Sequence, residues 1–96
     1  MIVHIVMFAF KKENKAQNLQ KAKDMLEALE EKIPSLLSMD VGLDFMQSER
    51  SYDLVLTSTF EDKKGLSEYA VHPAHLEVVS FIKEVTEGAK VVDYEK

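Results

Sequence analysis

The opening segment sets the tightest limit on what this chain can become. Ile2–Phe10 carries Ile2, His4, Val6, Phe8 and Phe10 at even positions, and Val3, Ile5, Met7 and Ala9 at odd ones. Successive side chains of a strand point to opposite faces, so as a strand this segment is apolar on both sides and needs cover on both. In a chain of 96 residues, one cover is expected from its own helices. The other is expected from a second subunit, because a domain this small leaves much of its surface exposed. The segment is too short to cross a bilayer, has no basic stretch ahead of it and is interrupted by His4. It reads as a strand, not a leader, so no membrane partner is expected and the expected location is the cytoplasm.

The remaining patterns give the order of elements. After a polar connector at 11–13, Asn14 is expected to cap a helix, with Gln17 completing a capping box. Leu19, Ala22, Leu26, Leu29 and Ile33 recur at helical spacing with Met25 beside them, and Pro34 stops the helix. Lys15 lies at its positive end and Glu30 and Glu31 at its negative end, an arrangement that costs about 0.3–1 kcal/mol per charge. Residues 36–46 alternate, with Met39, Val41, Leu43 and Phe45 on one face. Residues 52–60 alternate likewise after a polar turn, so the two segments are expected to pair as an antiparallel hairpin. Residues 61–69 read as a short helix capped by Asp62. Pro73 starts a second piece with Leu76, Val79, Ile82 and Val85 in its stripe and Gly88 at its end. Residues 89–94 form the last strand.

The predicted class is therefore α+β: one domain over 1–96, a ferredoxin-like βαββαβ plait with an antiparallel sheet and the helices on one face. Left in water, the other sheet face is a large apolar patch; face-to-face pairing of two copies buries it.

Composition removes several function classes. The formal charge is −5 and no basic run exceeds two residues, so no nucleic-acid partner is expected. With no cysteine there is no disulfide, thiolate or Cys-zinc chemistry. Three glycines and no glycine-rich loop leave no phosphate cradle or dinucleotide fingerprint, and no cofactor is expected.

The groups able to move protons near neutral pH gather in residues 68–79. Tyr69, His72 and His75 sit there around Pro73. His75, Val79 and Ile82 share a helical stripe, so His75 is expected to face the sheet. His4 shares a strand face with Val6 and Phe8, and these residues, with Leu26 and Val79, are expected to line a small apolar ligand pocket beside Tyr69 and His75. An imidazole that titrates near neutrality next to a phenol makes a general acid–base pair. His72 is expected to cap the helix that Pro73 begins. His72 and His75 also have the i, i+3 spacing of a metal pair, but that spacing is common by chance and no metal is expected.

The strand His4-Ile5-Val6-Met7-Phe8-Ala9-Phe10, the helix ending Ile33-Pro34 and the element Tyr69-Ala70-Val71-His72-Pro73-Ala74-His75 together resemble the stress-responsive A/B barrel domain family, over essentially the whole chain. The resemblance implies a homodimeric α/β barrel in which two ferredoxin-like subunits pack sheet to sheet. It implies no single reaction. A plant polyketide cyclase of the family implies His75 as general base and Tyr69 as the group assisting at a carbonyl oxygen, with His4 near the same pocket. The aromatic residues that shape the cyclase pocket have no counterpart in Ala22-Lys23-Asp24-Met25-Leu26. Three readings result: a family member with an apolar ligand pocket and unassigned activity, a cyclase-like lyase or isomerase, and a monooxygenase-type dimeric barrel.

Overall fold

The computed structural model describes residues 1–96. Strand β1 spans Ile2–Phe10, α1 Lys15–Lys32, β2 Ser38–Leu43, β3 Leu54–Phe60, α2 Lys63–Val71, α3 Pro73–Val85 and β4 Thr86–Glu95. The strands form one antiparallel sheet in the order β2-β3-β1-β4. This is the ferredoxin-like α+β plait, with the second helical region divided in two at His72. No helix is long and apolar enough to cross a membrane.

Register decides which residues meet. Val6 lies opposite Leu56 on β3 and Val91 on β4, so all three share a face. That face also carries Ile2, Phe10, Leu54, Phe60, Met39 and Val41, all buried against Ala22, Leu26 and Leu29 of α1 and Val78 and Ile82 of α3. The odd residues of β1 point the other way. Met7, Val55, Val92 and Tyr94 are exposed there, so the strand apolar on both faces has received one cover from its own chain.

Several local expectations change in the folded chain. Asn14 does stand at the start of α1, but it adopts the left-handed conformation (φ 52°) and its side chain makes no capping bond. Asparagine tolerates that region better than most residues, so it turns the chain without capping it. Two of the three misplaced charges of α1, Lys15 and Glu30, have distant partners. Lys15 Nζ donates to Asp53 Oδ1 at 3.3 Å, and Glu30 Oε1 accepts from the Met39 N–H at 2.8 Å. Alternation overstated β2, which ends at Leu43; Phe45 lies beyond it and is 89% exposed. The buried stripe of α3 runs through Val78 and Ile82 rather than Leu76, which is exposed. Gly88 does not end α3; it lies in β4 opposite Ala9, and the helix ends at Val85.

Asp53 draws three elements together. Its carboxylate is buried and accepts from the Phe10 N–H at 2.7 Å and from Lys15, while its own N–H donates to the Phe8 carbonyl at 2.8 Å. The end of β1, the start of α1 and the loop before β3 are thus held by one side chain.

Candidate functional site

The α2–α3 junction places the proton-moving residues. Asp62 accepts from the Gly65 N–H at 2.8 Å and caps α2, whose last turn presents Tyr69. The chain then leaves helical geometry at His72, as expected before a proline. His72 Nδ1 accepts from the Ala74 N–H at 3.0 Å, so this histidine caps α3. Pro73 in the first turn gives up no backbone bond. The new helix brings His75 back against Tyr69, with ring centroids 4.2 Å apart.

Tyr69 is central to the cluster. Its ring packs on Phe60 at 5.1 Å and meets His4 edge-on at 6.4 Å. Only 2% of the residue is exposed. Burial pushes its pKa up to about 12, so the phenol holds its proton throughout the neutral range. Its hydroxyl makes no hydrogen bond to the protein, although the ring is enclosed in the core.

His75 is half-buried, and desolvation lowers its pKa below the ordinary histidine value. A hydrogen bond to a backbone carbonyl opposes that shift, while His4 and His72 add smaller contributions in the lowering direction. At neutral pH the ring is uncharged. Its Nδ1–H donates to the Ala70 carbonyl oxygen at 3.1 Å. That bond fixes the tautomer and leaves Nε2 as a lone-pair acceptor without a protein partner. His4 approaches from β1, and its Nδ1–H donates to the Asp93 carboxylate of β4.

These rings border a cavity of about 260 Å³ between the sheet and α3. His4, Val6 and Phe8 form its floor, Leu26 enters from α1, and Tyr69, His75 and Val79 complete the set named from sequence. All seven line the same space. Leu56, Val78, Ile82, Lys83, Thr86 and Ala89 line it too. The sequence-based expectation leaves these out of the pocket, although alternation along β3 points to Leu56 and helical spacing from His75 to Val78 and Ile82; Ala89 arrives with β4. Nothing local marked Asp93, whose place beside His4 depends on how β4 registers against β1. No three His, Asp or Glu side chains converge in an arrangement able to hold a metal ion. His72 and His75, in particular, are each committed to a backbone partner.

Chemically, the arrangement is a small apolar chamber with a neutral imidazole, a protonated phenol and a carboxylate-anchored imidazole at one end. Residues 2–96 match the Stress Responsive A/B Barrel Domain family.

The chain belongs to that family.

Among A/B barrel relatives, the stress-response A/B barrel domain-containing protein HS1 of Arabidopsis thaliana is 33% identical over 55 residues, 57% of this chain. The matched stretch spans 49% of HS1, about half its length. A dimeric protein of unknown function with a ferredoxin-like fold from Bacteroides fragilis superposes with a TM-score of 0.90 at 29% identity, covering 99% of this chain and 95% of that one. A dimeric ferredoxin-like protein of unknown function from Jannaschia has a TM-score of 0.83 at 30% identity, covering 99% and 98%. This A/B barrel chain therefore shares its whole fold with proteins described as dimers.

Proposed function

We propose that the protein acts as a cytoplasmic homodimer whose cavity takes a small, mainly apolar carbonyl compound and moves a proton on it. One observation carries this reading: a neutral imidazole with a free Nε2 and a protonated phenol with an unpartnered hydroxyl border one apolar cavity. His75 Nε2 takes a proton from the carbon next to the carbonyl. The electrons of that C–H bond form the new carbon–carbon double bond, and the carbonyl oxygen takes up the negative charge. Tyr69 donates a hydrogen bond to that oxygen, stabilising charge where it develops. Return of the proton to the same or another atom completes an isomerisation, and bond formation or cleavage at the carbanion gives a lyase or cyclase outcome.

The volume of about 260 Å³ supports a small ligand. The dimer reading is supported by the dimeric relatives and by Met7, Val55, Val92 and Tyr94 on the uncovered sheet face. Pairing through that face removes an exposed apolar patch from water.

The test is exchange of α-hydrogens for deuterium in a panel of ketones and keto acids, after thermal-shift screening for binders. Replacing His75 with Gln is expected to slow exchange at least about 100-fold while the protein stays folded. Exchange at an unchanged rate in that variant removes His75 as base and overturns the proposal.

A further inference from the structure

The end of the cavity away from Tyr69 and His75 has a chemistry of its own. Lys83 lines it, one turn before Thr86. This is a chain with 17 acidic and 12 basic residues, yet no Asp or Glu lines the cavity and Lys83 is its one full positive charge. The Lys83 ammonium forms no salt bridge and no hydrogen bond to the protein, whereas Lys15 and Lys23 are paired with carboxylates. Thr86 is no competitor for a ligand at that end, because its hydroxyl already donates to the Ile82 carbonyl at 2.8 Å.

The two ends are joined by one helix face. His75, Val78, Val79, Ile82, Lys83 and Thr86 follow the spacing of a single stripe, and all border the cavity. Lys83 lies eight positions after His75 along α3, a rise of about 12 Å at 1.5 Å per residue. Across the floor, His4 to Phe8 extends about 13 Å along β1. The cavity is thus a slot with proton-moving groups at one end, an ammonium at the other and apolar walls between. The flexible Lys83 stem lets its charge reach inward, so the slot accepts a range of lengths up to about 12 Å.

The geometry points to a ligand with charge at one end: an apolar carbonyl compound carrying a carboxylate, with the carbonyl at Tyr69 and His75 and the carboxylate at Lys83. Lys83 is then the residue that selects acids over neutral compounds of the same shape. This rests on the proton-transfer reading of the same cavity and names its substrate class.

The probes are oxodecanoate with its ketone next to the terminal methyl, and the methyl ester of that acid. Both carry the same ketone and chain; only the acid carries the charge. Affinities are measured by calorimetry, and α-hydrogen exchange is followed in parallel. The native protein is expected to bind the acid on the order of fivefold tighter than the ester, with the preference shrinking as salt rises. Lys83→Met is expected to bring the ratio to one, Lys83→Arg to keep it above one, and Lys83→Glu to turn it in favour of the ester. Lys83 is exposed, so these variants are expected to fold, and their melting temperatures check it. Equal binding of acid and ester by the native protein, or an unchanged ratio in Lys83→Met, overturns the role of Lys83 and leaves the proton-transfer reading standing. Binding of neither probe overturns both. An acid preference with exchange unaffected by His75→Gln upholds Lys83 and removes the acid–base pair.

Discussion

Tyr69→Phe separates stability from function at one atom. The ring does the structural work: it is enclosed, packed on Phe60 at 5.1 Å and on His75 at 4.2 Å. The hydroxyl makes no protein hydrogen bond, and desolvation has pushed its pKa to about 12. Removing it therefore breaks no internal bond and leaves no partner stranded. The expected stability change lies within about 0.5 kcal/mol. For a domain of this size that is a shift of roughly 2–4 °C in Tm. Had the hydroxyl been bonded to a buried group, its loss would cost about 1–3 kcal/mol. Function should respond quite differently, because in the proposed reaction the deleted group is the donor to the developing oxyanion. The loss in kcat for proton exchange is expected at about 100- to 1,000-fold. Tyr69→Ala, by contrast, removes the ring and should cost about 3–5 kcal/mol. The assay pairs a melting curve with the deuterium-exchange rate for each variant. A Tyr69→Phe protein that melts many degrees lower, or that exchanges at the native rate, refutes the reasoning.

Three further outcomes are expected. Burial lowers the His75 pKa in the folded state, so the unfolded chain binds a proton at this site before the folded one does. Stability should thus fall as pH drops below about 6.5 toward the lowered value, and the acid limb of kcat/KM should lie below 6.5; an NMR titration placing His75 at or above that value contradicts this. Asp53→Ala strands the Phe10 N–H, a donor in a residue only 1% exposed; it should lower stability by about 2–3 kcal/mol in urea unfolding, and a change below about 0.5 kcal/mol would show that the carboxylate is not the tie between β1 and the loop before β3. Val92→Glu places a charge on the uncovered sheet face and should yield monomers in sedimentation at micromolar concentration, whereas an unchanged mass would rule this face out as the contact.

The chain's own patterns were enough for the plait and for most of the cavity wall. A run apolar on both faces identified β1, two-residue alternation identified β3, and the stripe from Ala22 to Ile33 identified the buried face of α1. Pro73 located the start of α3, and that start largely determines where His75 points. These are local properties: a strand or helix repeats by its own geometry, so its faces can be read without knowing its neighbours. Local reading failed at the end of β2. Phe45 continues its alternation, but β2 pairs with β3 only as far as Leu43 opposite Leu54, and Phe45 stands in solvent.

Other features exist only because distant segments meet. Asp93 anchors His4 because β4 registers with β1 at that residue, 89 positions away. Asp53 lies before β3, yet it bonds the end of β1 and a lysine of α1. Glu30 and Lys15 look misplaced on the helix dipole and find their partners on β2 and in the loop before β3. Lys83 becomes the one charge of the cavity only when α3 lies across the sheet. Sequence by itself determined the elements, their order and their apolar faces, since backbone periodicity sets these residue by residue. Tertiary structure alone decided that Asp93, Asp53 and Lys83 meet the groups they do, since strand register and helix docking are set by the packing of the whole core.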